Sequence, residues 1–329
     1  MGMIGRDTKS LYLNLWILLI SFGKWWNLPL YLEMIKRGVC CIVLALEPLK
    51  FRTITYKSFS SLPRELGLVK LGEIIEHNLD VTAAAIKYCG ENNLNYRLSS
   101  SLFPLITYDK AEVKMRDLPN FFQILAKIQY VKDTREKFPE VRLSLHPDQF
   151  NVLASENQDA VIRTIRELDF YSDFMNDIGC YDIFMNPINI HVNCNGDWDR
   201  VADKFVENYS RLKLHTRMRL VLENDDKISG WSVKKLDQYM KPRGGFPITF
   251  DYLHHKCHPD GLPEEEAFNI SYESWGQIIR PLFHYSESAP DQNNPRKHAD
   301  YATAVPDTYG KSIDLDYEFK MKEKSFENL

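Results

Sequence analysis

From residue 39 onward, short runs of β-branched and apolar residues alternate with longer stretches in which apolar residues recur every three or four positions. The first pattern fits a buried strand, the second a helix with one apolar stripe. The runs VCCIVLAL (39–46), NYRLS (95–99), VRLSLH (141–146), NPINIHV (186–192), RLVLEN (219–224), PITFDY (247–252), PLFHYS (281–286) and IDLDYEF (313–319) predict eight strands. Residues 70–92, 111–136, 157–178 and 198–214 predict helices between them. In the third of these, Ser155 or Asn157 can cap, and Val161, Ile162, Ile165 and Leu168 form the expected buried stripe. Eight parallel strands with covering helices close most economically into an α/β fold, the (β/α)8 TIM barrel. A doubly wound open sheet is the alternative, but no glycine-rich phosphate loop follows an early strand.

A barrel makes a chemical expectation possible, because catalytic groups in this fold stand where the strands end at the carboxyl face. The third strand ends at His146, the fourth at His191, the fifth at Glu223, the sixth at Asp251 with His254 just after it, the seventh at His284 and the eighth at Glu318. Any one of these alone reads as a hydrogen-bonded core or loop residue. Together they are hard to obtain from packing, since a buried unpaired carboxylate is strongly unfavourable. Divalent cations resolve the conflict. Imidazole and carboxylate donors suit Zn2+ or Mn2+, and no cysteine stands at these ends to make a thiolate site. Seven candidate ligands exceed the four of a tetrahedral ion, so two or three ions are implied, with Glu223 as the bridging carboxylate. Such a cluster lowers the pKa of a bound water and stabilises both oxygens of a phosphoryl displacement, which makes phosphodiester hydrolysis the leading chemistry. The segment TFDYLHHKCHP (249–259) carries three of the nine histidines. Asp251 and His254 fall to the cluster, whereas His255 and His258 need not bind metal.

Composition adds limits. The hydrophobic fraction of 44% and charged fraction of 26% describe an ordinary globular chain without low-complexity tracts. A net charge of −4 argues weakly against an all-over basic coat, yet a carboxylate-rich site would push the total negative, so the total does not decide the partner. Six cysteines without a CxxC pair suit a reducing compartment and argue against secretion. Residues 1–33 are expected to be an N-terminal extension outside the core, with Met34 an alternative start and residues 34–329 a single barrel domain. The apolar run LYLNLWILLISF is about a dozen residues, short of the ~18 of a membrane span, so no membrane partner is expected. No obligate protein partner is evident.

The ordered segments KFRTITYKSF (50–59), YRLSSSLFPL (96–105), LSLHPDQFNVL (143–153), LVLENDD (220–226), FDYLHH (250–255), FHYSES (283–288), RKHADY (296–301) and YEFKMKEK (317–324) resemble the UV damage endonucleases. These belong to the metal-dependent TIM-barrel class that includes endonuclease IV and xylose isomerase. The resemblance implies DNA repair by incision of damaged double-stranded DNA immediately 5′ to cyclobutane pyrimidine dimers, 6-4 photoproducts and abasic sites, leaving a 3′-hydroxyl and a 5′-phosphate. It implies His146, His191, Glu223, Asp251, His284 and Glu318 as metal ligands, with Glu223 and His254 catalytic. The ions would be Mn2+, with Zn2+ or Mg2+ as alternatives. It implies that Gln149 and Phe150 enter the helix where the lesion turns out, which is physically reasonable because a damaged pair is already poorly stacked. Arg52, Lys320 and Lys322 would contact DNA, with Lys50, Lys57, Arg296 and Lys297 as further rim cations. The cellular site would be the cytoplasm at the nucleoid, or the nucleus in a eukaryote.

The chain departs from the family pattern at several positions. Val39 and Val43 stand where the family presents a Tyr and an Asn, Ser101 where some relatives place a metal-binding His, and Leu282 where some carry a Lys. The turn NCNG (193–196) replaces a more glycine-rich one. These changes bear on lesion range and on a third metal. Three rival readings follow: an endonuclease acting at abasic sites, a sugar isomerase or epimerase on the same barrel, and a non-catalytic damage-binding protein. The DQF segment stands against the isomerase.

Overall fold

The computed structural model describes residues 34–148, 151–181, 184–276, 279–327 and 329. Its strands are β1 (Ile35–Cys40), β2 (Asn95–Leu98), β3 (Leu143–Leu145), β4 (Ile188–Ile190), β5 (Leu220–Glu223), β6 (Ile248–Thr249), β7 (Leu282–Tyr285) and β8 (Ile313–Tyr317). All pair in parallel, in the order β6-β5-β4-β3-β2-β1-β8-β7. Beyond the end of β6 the ring is closed by a parallel bridge between Asp251 and His284, where the His284 N–H donates to the Phe250 carbonyl at 3.0 Å. The result is the (β/α)8 barrel expected from the alternation. Residues 34–329 form one compact unit.

Strand one differs from expectation. It occupies Ile35–Cys40 rather than 39–46, because Cys41 takes a left-handed backbone (φ 63°) and Leu44–Leu46 wind into a 3-10 turn. That turn is held by the Glu323 carboxylate, which accepts from the N–H groups of Leu44 (3.0 Å) and Ala45 (2.6 Å). Val39 and Val43 are both buried, Val39 in the strand and Val43 in the loop after it.

The helices differ mainly at their ends. The helix expected at 70–92 begins earlier and spans Arg64–Glu91, and the one expected at 111–136 begins at Phe121, after two 3-10 turns and Pro119. Leu118 is extended, as a residue before proline must be. The expected 198–214 helix is two, Trp198–Tyr209 and Leu214–Arg219, the second running straight into β5. In the helix Gln158–Asp177 the cap is Asn157, whose side chain accepts from Asp159 and Ala160 N–H. Val161 and Leu168 are buried and Ile165 half-buried, but Ile162 is exposed.

Leu71, Ile75, Leu79, Ile86, Leu143, Ile188, Leu222 and Phe283 belong to the apolar core. Inside the barrel the lining is polar. Asp314 accepts from Arg142 at 2.9 Å and meets Arg280 at 3.0 Å, and Ser144 donates to Asp316 at 3.1 Å across the barrel from β3 to β8. Gly38 on β1 makes room for this column, since a Cβ there would stand 2.1 Å from Asp316 Oδ1. Among the described residues no helix is long and apolar enough to cross a membrane.

Candidate metal centre

At the carboxyl end of the barrel, Glu223 closes β5 with its side chain only 1% exposed and four imidazoles around it. Oε2 lies 3.1 Å from His146 Nε2 and 3.2 Å from His284 Nδ1; Oε1 lies 3.1 Å from His254 Nδ1 and 3.8 Å from His191 Nε2. Asn189 Nδ2 also donates to Oε2. Two of the rings are held from behind: His146 Nδ1 is 3.0 Å from the Pro147 carbonyl and His191 Nδ1 is 3.0 Å from Asp225 Oδ1, whereas His254 Nδ1, the atom that faces Glu223, also lies 2.9 Å from the Asn224 carbonyl. Such outer partners fix ring orientation at metal sites.

Asp251 caps the helix Tyr252–Cys257, its Oδ1 accepting from the His254 N–H at 2.7 Å. A reciprocal pair of bonds with Asn224 fixes its backbone (2.9 and 3.1 Å). Its Oδ2 is buried without a hydrogen-bond partner. That orphaned oxygen tests the fit of a metal: a buried carboxylate atom needs a donor or a cation, and what surrounds it is a set of imidazole and carboxylate ligands. Two trios, His146–His191–Glu223 and Glu223–Asp251–His284, bring their donor atoms within 4.8 Å of one another and share Glu223.

The protonation equilibria describe a pocket built for positive charge. Burial alone would raise the Glu223 pKa, but His284 and His191, with the bonds from His146 and His254, hold it well below the usual carboxylate range. Burial opposes charge on His284 too, and is overcome by Glu223 and Glu318, which push its pKa up to about 9. His254 rises well above the ordinary value against burial, through Asp251 and Glu223, and His191 rises through Glu223 and Asp225. Asp251 is raised, burial outweighing the neighbouring His254.

The family model described as UV-endonuclease UvdE matches residues 35–329, starting at the first residue of β1. The chain belongs to the UV-endonuclease UvdE family. A UV DNA damage endonuclease of Bacillus cereus (strain G9842) is 31% identical over 253 residues, 76% of each chain. The crystal structure of SacUVDE is similar with a TM-score of 0.73 and 27% identity, over 88% of this chain and 95% of that one. Endonuclease IV from Thermus thermophilus, at 11% identity and a TM-score of 0.50 over 72% of this chain and 87% of that one, shares the fold.

Of the residues expected at the site of this UvdE-family chain, His146, His191, Glu223, Asp251, His254 and His284 meet in one cluster. Glu318 borders it: its Oε1 is 3.2 Å from His284 Nδ1, but its carboxylate also accepts from Arg97 and it stands outside both trios. Gln149 and Phe150 lie outside the described residues. Arg52 is exposed after β1, Lys320 pairs with Asp300 at 2.9 Å, and Lys322 is half-buried. Ser101 is exposed, and Leu282 belongs to the apolar core. His255 and His258 are buried with pKa values lowered by desolvation, and the His255 ring packs 5.3 Å from Phe250.

Several neighbours of the cluster were not expected. Asp225 and Asn189 each lie two residues from a member of the cluster, so the period-two alternation of a strand could have found them. His298 arrives through an antiparallel bridge to Ser288, with its Nδ1 2.5 Å from the Glu318 carbonyl and 4.0 Å from Glu318 Oε2. Arg97 on β2 gave no local signal.

Proposed function

We propose that this protein is a metal-dependent DNA repair endonuclease that cuts a phosphodiester bond immediately 5′ to UV photoproducts, cyclobutane pyrimidine dimers and 6-4 photoproducts, and to abasic sites. The observation that carries the reading is the pair of ligand trios sharing one buried glutamate at the carboxyl face of a UvdE-family barrel. Family relatives bear the name UV DNA damage endonuclease, and the donor chemistry suits the hydrolysis. Two or three divalent ions held there, Mn2+ or else Zn2+ or Mg2+, would supply an activated water and charge stabilisation for phosphoryl displacement. His146, His191, Glu223, Asp251, His284 and Glu318 are the proposed ligands.

The side chains divide the site into a dry floor and a wet rim. Glu223, Asp251 and His284 are at most 1% exposed, whereas His146, His191 and His254 keep 14–19%. Substrate therefore meets the rim, and His254 is the proposed catalytic residue that touches the reacting phosphate. Glu223 acts from beneath, keeping both trios negative and tying their imidazoles together. Asp225 fixes the direction in which His191 points. Gln149 and Phe150 are proposed to fill the gap left by the displaced lesion, recovering part of the lost stacking. Arg52, Lys320 and Lys322 are proposed phosphate contacts, Lys320 exchanging Asp300 for the backbone. The enzyme would work where the DNA is, at the nucleoid or in a nucleus.

Strand one favours a second, narrower reading. Val39 and Val43 are buried at 0% and 5% exposure and offer no polar group for handling a photoproduct. An abasic-site endonuclease would not need one. Both readings are tested on a 5′-labelled duplex with a single cyclobutane dimer, beside abasic and undamaged duplexes, with Mn2+ and with chelator. Chelator-sensitive cutting just 5′ to the dimer is expected. Cutting at the abasic site alone would establish the narrower reading, and no cutting on any duplex would overturn both.

A further inference from the structure

Arg97 has the properties of a residue that sets up the metal centre from outside it. Its side chain is 11% exposed on β2, and its guanidinium donates to Glu318 Oε1, the oxygen that also lies 3.2 Å from His284 Nδ1. The geometry points to Arg97 as a positioning residue: it clamps the Glu318 carboxylate beside the Glu223–Asp251–His284 trio, so that Glu318 can serve as that trio's fourth donor. This rests on reading the cluster as a metal centre.

Three features support the clamp. Glutamate turns about three side-chain bonds, and a lone ligand on the segment after β8 would otherwise sample many directions; a planar guanidinium holds a carboxylate in a defined plane. Arginine also stays protonated, so the clamp persists when no metal is bound. Finally, the space under it is ordered: Asp316, one inward position below Glu318, accepts from Ser144 at 3.1 Å, and Gly38 leaves room for its carboxylate.

The competing explanation is an ion pair that merely stabilises the barrel. The opposite end of the barrel shows what such a pair looks like. There Arg142 binds Asp314 and the carbonyls of Met185 (2.6 Å) and Arg280 (2.7 Å), and none of these partners is a candidate ligand. Arg97 differs in that its carboxylate partner touches a ligand histidine.

Mn2+ binding to the full chain, measured by equilibrium dialysis and by the paramagnetic signal of free Mn2+, separates the two. Arg97→Met should weaken one class of Mn2+ site by about 10–100-fold, the usual cost of removing a partner that orients a ligand, and leave the other class at wild-type affinity. Arg97→Lys, which keeps the charge but not the fork, should fall between the two. Wild-type Mn2+ affinity in a folded Arg97→Met chain, even one with a lowered melting point, would overturn the proposal. Should Arg97→Met not fold, wild-type affinity in Arg97→Lys would overturn it equally. Failure of the wild-type chain to bind Mn2+ would instead remove the metal-centre reading itself, and the two failures appear in different arms.

Discussion

Replacing Glu223 by glutamine is the most discriminating perturbation of the centre, because the two trios share this residue and no other. Glutamine keeps the shape and removes the charge. Removing residues that only orient a ligand costs about 10–100-fold in metal affinity, so losing a charged ligand should cost at least about 100-fold at each trio. At a Mn2+ concentration ten times the wild-type Kd, occupancy would then fall from about nine-tenths to about one-tenth at both positions. His146→Ala, by contrast, should empty one position and spare the other. The metal-free chain carries a second signature. His284 is raised from 6.5 to about 9 by Glu223 and Glu318, against burial, a preference for its charged form of order 3 kcal/mol. Because the folded pKa is the higher one, this stabilisation is complete below the unfolded value near 6.5 and is lost as pH rises through about 9. Metal-free Glu223→Gln should therefore melt well below wild type at pH 6 and approach it above pH 9. Metal content after dialysis and melting curves at the two pH values are the assays, with incision as the functional readout. A folded Glu223→Gln chain that retains one Mn2+ at wild-type affinity, or cuts at the wild-type rate, would refute the shared-ligand argument.

Further outcomes follow from the same geometry. Metal affinity should rise between pH 6 and pH 9, since protons on His284 and His254 must leave before a cation enters; calorimetry in two buffers of different ionisation enthalpy would show the proton release, and affinity independent of pH would contradict it. Gly38→Ala should destabilise the fold by about 1–3 kcal/mol, the range for overpacking, because its Cβ would stand 2.1 Å from Asp316 Oδ1; an unchanged urea midpoint would show that the barrel yields there. Gln149→Ala with Phe150→Ala should abolish preference for damaged over intact duplex in an anisotropy titration while Mn2+ content stays at the wild-type level, and preserved selectivity would remove the insertion idea.

The cluster was legible for a chemical reason: histidine, aspartate and glutamate at the ends of six strands have few uses in packing, and the barrel brings all strand ends to one place. Strand one was less legible. VCCIVLAL is apolar throughout, and apolarity marks burial without saying whether the backbone is extended. Only the left-handed Cys41 and the reach of Glu323 to the Leu44 and Ala45 N–H groups turn its second half into a buried turn. In the helix Gln158–Asp177 the apolar spacing overextended the buried stripe by one residue, Ile162, which faces solvent.

The polar interior was hidden by a reversal of the usual faces. In IDLDYEF the alternation is plain, and in a half-buried strand the acidic positions would be assigned to solvent. A barrel strand has helices on its outer side and facing strands on its inner side. Ile313, Leu315 and Tyr317 accordingly join the apolar core, while Asp314 and Asp316 reach Arg142 and Ser144 across the barrel and Glu318 reaches Arg97. Each of these partners is at least 172 residues away in sequence, so no local pattern could pair them. Arg97 read as an ordinary polar position of NYRLS; its role exists only once closure sets β2 and β8 on either side of β1. The sequence therefore marks which side chains are candidates to hold a metal, and ring closure decides which charges hold those side chains in place.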